Sequence, residues 1–195
     1  MITNNNDWKG HQIEINNKIY PCKAAGIMPY TIINNNIYFL FQKPNNKKSL
    51  YTDFGGKREE YDHSIIRTAA REFSEETNGC FFLFNYLNEI NNNNSNNINK
   101  STIITESILL NENLIYLYNY TGKYILYFLY IYPININLLG NYEISSKNQT
   151  KRNCEWIHGS KLIQESFINN NLQHRLRKGF KKTIYKLYKS LNIII

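Results

Sequence analysis

Short apolar blocks recur along this chain and are separated by asparagine, glycine and lysine. Ala24–Ile33 and Ile37–Phe41 are rich in β-branched and aromatic residues, and Asn34-Asn35-Asn36 divides them. That pattern predicts two strands joined by a tight turn. The residues up to about Asn17 are polar and are expected to be loosely held. Lys43–Ser49, with Pro44, predicts a polar loop, and Leu50–Phe54 a short extended run ending at Gly55-Gly56.

The period then changes. From Ser64 to Thr77, the residues Ile66, Ala70, Phe73 and Thr77 fall on one face of a helix. Asp62 or Ser64 can cap its start, and Asn78-Gly79 supplies a left-handed residue at its end. Phe81–Tyr86 is apolar again. The tract 88–100 is dominated by asparagine and predicts an exposed loop. Leu114–Tyr118 and Tyr124–Tyr132 predict a hairpin turning near Thr121-Gly122. Both runs are apolar on both faces, so the hairpin is expected inside the fold. Glu155–Ile157 predicts a further strand and Leu172–Leu191 a closing amphipathic helix. The expected result is one α+β domain over residues 1–195, a mixed sheet with helices packed on it.

Composition agrees. The chain is 42% hydrophobic and 19% charged, which suits a folded domain rather than a disordered one. Its excess of asparagine and isoleucine is what an AT-rich coding sequence produces and carries no functional weight. The net charge is +8 and the pI about 9.3. Such a balance attracts nucleic acid, nucleotides, inositol polyphosphates or acidic membranes, and is equally compatible with a plain solvated lysine-rich surface. Cys22, Cys80 and Cys154 form neither a zinc pattern nor a disulfide framework; they read as small buried hydrophobes in a reducing compartment. His63, His158 and His174 show no metal spacing and read as structural. No basic segment followed by an apolar one opens the chain. Its most apolar run, Tyr124 to Tyr132, is far below the roughly 20 residues of a membrane span. A cytoplasmic protein without a membrane span is expected.

The segment with chemical content is Gly55–Gly79. With side chains placed about 100° apart, Glu72, Glu75 and Glu76 share one helical sector about 100° wide. Like charges at these spacings repel. Arg71, four residues before Glu75, offsets one of them, and a divalent cation can offset the rest. Mg²⁺ and Mn²⁺ take carboxylate and carbonyl oxygens and bind together with substrate phosphates. Gly55-Gly56 ahead of the helix lets the backbone approach closely.

This stretch resembles the signature box of the Nudix hydrolase family, which reads Gly, five residues, Glu, seven residues, then Arg-Glu-apolar-x-Glu-Glu-x-Gly. Here Asp62 stands five residues after Gly56 where the family has Glu. Eight residues, rather than seven, precede Arg71-Glu72-Phe73-Ser74-Glu75-Glu76, and the terminal Gly79 sits one place late, behind Asn78. The resemblance implies a Nudix-type α/β/α sandwich. It implies that Glu72, Glu75 and Glu76 bind Mg²⁺ or Mn²⁺, with the Gly55 carbonyl as a further ligand, and that Arg71 orients and neutralises a carboxylate. It implies hydrolysis of a diphosphate linkage in a nucleotide-type substrate. In this family the general base varies in position; Glu76, Glu143 and Glu155 are the candidates. Gly56, Lys57 and Arg58 are candidate phosphate contacts, against a plain solvated loop.

The substrate is less determined. The helix at 172–191 carries an apolar stripe, and its other faces hold Arg175, Arg177, Lys178, Lys181, Lys182, Lys186 and Lys189. A basic helix beside such a site suits a polyanion, with capped RNA favoured over a diphosphoinositol polyphosphate or a small nucleotide such as ADP-ribose or a dinucleoside polyphosphate. Phosphate contacts of this kind give affinity without sequence information, so no DNA sequence recognition is expected. A different class of reading is a non-catalytic module of the same fold that binds RNA or protein. The oligomeric state is not legible.

Overall fold

The computed structural model describes residues 11–44, 51–79, 94–111, 114–131, 142–145 and 151–163. The described strands, in chain order, are β1 (His11–Ile15), β2 (Lys18–Cys22), β3 (Ala24–Ile33), β4 (Asn36–Pro44), β5 (Phe54–Lys57), β6 (Tyr116–Asn119), β7 (Tyr124–Tyr130), β8 (Tyr142–Ser145) and β9 (Lys151–His158). The helices are α1 (Ile65–Glu76) and α2 (Asn94–Asn111), both between β5 and β6, and the short α3 (Gly159–Ile163). The apolar run Phe81–Tyr86, Cys80 and the helix expected at 172–191 lie outside the described residues.

Strands β6, β7, β3, β4, β9 and β8 lie side by side in one sheet, with β5 paired to β3. β3 and β7 run parallel, from Ala24 beside Tyr124 to Tyr30 beside Tyr130, and the other pairings are antiparallel. The chain is therefore an α+β protein with a mixed sheet. The β3–β4 turn is the one read from the asparagines. Asn34 and Asn35 adopt φ of 49° and 61°, the doubly left-handed conformation that a two-residue hairpin needs and asparagine tolerates.

Alternation along the strands divides the core. Ala25, Ile27, Leu40, Ile125, Tyr127, Leu129 and Cys154 face α1 and α2, where Ala69, Phe73 and Leu109 meet them. Met28, Phe39, Phe41, Leu126, Phe128 and Ile157 face the other way, with Tyr51 and with Leu162 of α3. Cys22 and Cys154 are buried free thiols; burial pushes the Cys22 thiol up to about 11.

Four expectations need correction. Residues 11–17 are not loose: β1 and β2 form a hairpin whose turn residues, Asn16 and Asn17, take φ of 51° and 59°. The predicted hairpin forms, but only β7 is interior. Among the described residues β6 has β7 on one side alone, and Tyr116 is 40% exposed. The asparagine tract is not all loop, because residues 94–100 open α2. Asparagine is a poor helix former, so packing holds this helix. Ser74 Oγ donates to Ser101 Oγ at 2.9 Å, and Asn97 and Ile98 are buried. For the same reason α1 is buried on more than its predicted face: Ile65 and Ala69 are fully covered, whereas Ile66 is half-buried.

Gly79 joins the two helices. Its φ is 68°, and a Cβ built there would lie 2.8 Å from the Asn97 carbonyl oxygen. Gly79→Ala is expected to destabilise the fold by about 1–2 kcal/mol from the left-handed backbone alone, and further from this backbone clash. A thermal melt that leaves the variant at the wild-type midpoint would contradict the close approach.

Candidate active site

Helix α1 starts where the sequence places a cap. Ser64 is extended, at φ −146°, and its hydroxyl accepts from the Arg67 amide at 2.9 Å. The helix ends at Thr77, and Asn78 (φ 53°) and Gly79 turn the chain away. Between these points Arg71, Glu72, Glu75 and Glu76 come to the edge that meets β5.

Arg71 is the hub of the cluster. Its Nε donates to Asp62 Oδ1 at 3.0 Å and its Nη2 to Asp62 Oδ2 at 3.0 Å. Nη2 also donates to the Lys57 carbonyl at 2.9 Å, and Nη1 reaches Glu72 Oε1 at 3.0 Å and Glu75 Oε2 at 3.2 Å. All five guanidinium N–H groups have acceptors. The expectation that Arg71 offsets one carboxylate is thus too low. It pairs with two of the three glutamates, Glu72 and Glu75, and with Asp62 besides, because its buried planar fork faces the loop before the helix as well as the helix itself. Burial works against its charge, but the Asp62 hydrogen bond and the charges of Glu72, Asp62 and Glu75 outweigh it and hold its pKa above the ordinary value.

Asp62 is fully buried. Besides Arg71, its Oδ2 accepts from the Glu59 amide at 2.9 Å and the Thr68 hydroxyl at 3.0 Å. Burial alone would raise its pKa; Arg71, the Glu59 amide and Thr68 together bring it below the ordinary carboxylate value. Asp62 therefore holds Arg71 in place and does not cap α1. Burial raises the Glu72 carboxyl, and the charge and hydrogen bond of Arg71 oppose the rise.

Glu72 also explains Gly56. A Cβ at Gly56 would sit 2.5 Å from the Glu72 carboxyl carbon, so the glycine makes room for the acid. Glu76 is buried at the next turn, where its Oε2 accepts from the Gly55 amide at 2.9 Å and from Gln42 Nε2. Gln42 is a residue that sequence reasoning missed. It closes the apolar run of β4, and its second amide hydrogen goes to the Asp53 carbonyl at 2.7 Å. A buried glutamine ending an apolar strand was the available signal.

The remaining candidates scatter. Lys57 is exposed, and Arg58 Nε lies 2.9 Å from His11 Nε2. Glu155 stands opposite Phe41 on the face turned from α1, and the Tyr51 hydroxyl donates to its carboxylate. Burial first, then Glu155, raises the Tyr51 pKa above its ordinary value. Glu143 lies in β8, with the register Glu143 to Asn153, and its side chain is outside the described residues. The structure thus brings Glu72, Glu75, Glu76, Arg71, Gly55 and Gly56 together, and does not bring Glu155 to them.

Among the described residues no three His, Cys, Asp or Glu side chains converge closely enough to enclose a metal ion. Glu72 and Glu75 share Arg71 while Glu76 turns to β5. The chemistry of the donors fits a hard divalent cation: Glu72, Glu75, Glu76 and the Gly55 carbonyl are all oxygen ligands, and only Glu72 and Glu75 of the three glutamates pair with Arg71.

Among known proteins, no family model matches the chain. An uncharacterized protein of Acanthamoeba polyphaga mimivirus is 46% identical over 82 residues, which cover 38% of this chain and 27% of that protein. The chain thus matches about a quarter of that relative's length. Among solved structures, the Ap4A hydrolase of C. elegans in a binary complex aligns with 87% of this chain and 98% of its own, at 15% identity and a TM-score of 0.44. The Nudix hydrolase RenU of M. smegmatis aligns over 94% and 97%, at 10% identity and a TM-score of 0.43. The Nudix domain of Shewanella oneidensis NrtR, solved with ADP ribose, aligns over 87% and 88%, at 12% identity and a TM-score of 0.45. Likeness at this level assigns no activity to the chain. No described helix is long and apolar enough to cross a membrane.

Proposed function

We propose that this chain is a divalent-metal-dependent pyrophosphohydrolase of the Nudix type that cleaves a diphosphate linkage in a nucleotide-type substrate. The observation that carries the reading is the gathering of Glu72, Glu75 and Glu76 around Arg71 and the Gly55-Gly56 strand. Glu72, Glu75 and Glu76, with the Gly55 carbonyl, would hold Mg²⁺ or Mn²⁺. Bound there, the cation stabilises charge on the bridging oxygens and lowers the pKa of an attacking water.

The chain's own residues have separable tasks. Arg71 and Asp62 orient Glu72 and Glu75, and Gln42 with the Gly55 amide fixes Glu76. Glu76 is the candidate for general base that lies within this cluster. Lys57 and Arg58 directly follow the glycine pair, and backbone bonds set Lys23 beside both Arg58 and Lys123. Basic residues from three segments therefore meet at the end of β5, a composition that favours a substrate with several phosphates. Capped RNA is the favoured member of that class, through the basic sequence at 172–191.

The test is turnover with Mg²⁺ or Mn²⁺ on cap-labelled RNA, free cap dinucleotide, a diphosphoinositol polyphosphate, ADP-ribose and a dinucleoside polyphosphate. Release of m7GDP from capped RNA alone is expected, and EDTA should abolish it. Turnover of only the small nucleotides would keep the hydrolase and remove the RNA reading. RNA binding without any turnover would replace both with a non-catalytic module.

A further inference from the structure

Two polar side chains beside the site, the buried Asp53 and the half-buried Tyr124, have no task in the reading above. They come from segments 71 residues apart and meet through a hydrogen bond from the Tyr124 hydroxyl to Asp53 Oδ2. The second carboxylate oxygen, Oδ1, accepts from the Thr52 hydroxyl at 2.8 Å.

The path of the tyrosine is unusual. Tyr124 begins β7, which flanks β3 on one side, whereas β5 flanks β3 on the other. Two strand spacings, about 10 Å, separate the outer backbones. The ring crosses the middle strand at Gly26. A Cβ at Gly26 would lie 2.0 Å from the phenol oxygen, and one at Gly55 would lie 2.3 Å from it. Any side chain at either position would expel the tyrosine. Gly26 and Gly55 stand opposite each other in the β3–β5 register, and the hydroxyl lies over both.

What this crossing holds is the edge of the candidate site. Asp53 is two residues before Gly55, and Gly55 carries Glu76 on its amide. The Asp53 carbonyl takes one hydrogen of the Gln42 amide, whose other hydrogen goes to Glu76. Asp53 is thus pinned at its side chain by Tyr124 and Thr52 and at its backbone by Gln42. From Tyr124 to Glu76 the path runs by hydrogen bonds to the Asp53 side chain and from the Asp53 carbonyl through Gln42, the two joined by the covalent frame of Asp53.

We infer that Tyr124 and Asp53 are a positioning pair that fixes Gly55, and through it Glu76, in the geometry needed to bind a divalent cation and hydrolyse the substrate. The inference rests on the hydrolase reading. The pair acts through the backbone of β5 and does not itself touch substrate. Outer partners of this kind tune metal affinity or activity by about 10–100-fold when removed. Tyr124→Phe removes one oxygen and keeps the ring that fills the crossing, so the core should survive.

The experiment measures Mn²⁺ binding by the electron paramagnetic resonance of free Mn²⁺, together with kcat, KM and the metal-free melting midpoint. It uses the wild type, Tyr124→Phe, Asp53→Asn and the double variant. The expected result is Mn²⁺ affinity weaker by about 10-fold and kcat lower by about 10–100-fold in each single variant, with KM and midpoint nearly unchanged. The double variant should be no worse than the worse single, since both break one link. Wild-type affinity and kcat in Tyr124→Phe and Asp53→Asn would overturn the inference while leaving the hydrolase reading intact. So would losses that merely follow a collapsed midpoint, because they would mark a role in folding alone. A wild type that neither binds Mn²⁺ nor turns over any diphosphate would remove the hydrolase reading itself, and the inference with it.

Discussion

Glu76→Gln should reduce diphosphate hydrolysis on the order of 10²–10³-fold, the scale seen when one preorganised group that stabilises transition-state charge is lost. The substitution is nearly isosteric. A glutamine carbonyl oxygen can still accept from the Gly55 amide and from Gln42, so the β5 edge should stay where it is. What disappears is the negative charge, together with the capacity to accept a proton. Glu75→Gln tests the same platform from a position that touches Arg71 and not β5. It relieves repulsion with Glu72 and gives up the ion pair with Arg71, two opposed changes that should leave the folded state close to the wild type in stability. Steady-state rates at saturating Mn²⁺, paired with thermal melts, separate loss of charge from loss of fold. Normal turnover in the Glu75→Gln/Glu76→Gln double variant would sink the assignment of these carboxylates as the metal platform.

How much of this was legible depends on how local the physics is. The order from Gly55 to Gly79 carries its own geometry, since a helix sets the angles between Arg71, Glu72, Glu75 and Glu76 without help from the rest of the chain. The Ser64 cap, the Asn34-Asn35 turn and the left-handed Asn78 and Gly79 are likewise matters of a few adjacent residues. The hub role of Arg71 was only half visible. Its contact with Glu75 follows from a spacing of four, whereas its contacts with Asp62 and the Lys57 carbonyl depend on how the preceding loop folds back.

The parts that were not legible are those made by pairing distant segments. Asp53 and Tyr124 meet because β3 lies between β5 and β7, Gln42 joins them through the β4 bridge to Thr52, and nothing in the neighbourhood of Gly26 says that a tyrosine must pass over it. Helix α2 was hidden for a different reason. Its asparagines oppose helix formation, and its stability comes from α1 and Gly79, which periodicity within the tract does not report. The early hairpin was missed because Asn16-Asn17 looks like any other asparagine pair until two strands are seen to flank it.

Arg71→Met should be among the most damaging single changes to stability, at about 3–5 kcal/mol, because it strips the cation from a buried carboxylate. Asp62 has no exposed surface and would keep only the Glu59 amide and the Thr68 hydroxyl. The pH dependence gives the sign. In the wild type the Asp62 pKa is depressed below the ordinary 3.8. Its stabilising contribution is therefore complete above that value and is lost as pH falls through the lower, folded-state pKa. In the variant, burial acts unopposed by Arg71 and lifts the carboxyl above its unfolded value. The penalty should then be largest near neutral pH and shrink on acidification, as Asp62 takes up a proton in the folded state. Urea melts of wild type and Arg71→Met at pH 7 and pH 4.5 measure this directly, and a gap that widens at the lower pH would contradict it. Adding Asp62→Leu should recover much of the loss, because an apolar pair of similar volume carries no desolvation cost. Such a rescued protein should melt near the wild type and still fail to hydrolyse, since Glu72 and Glu75 would have lost the guanidinium that orients them.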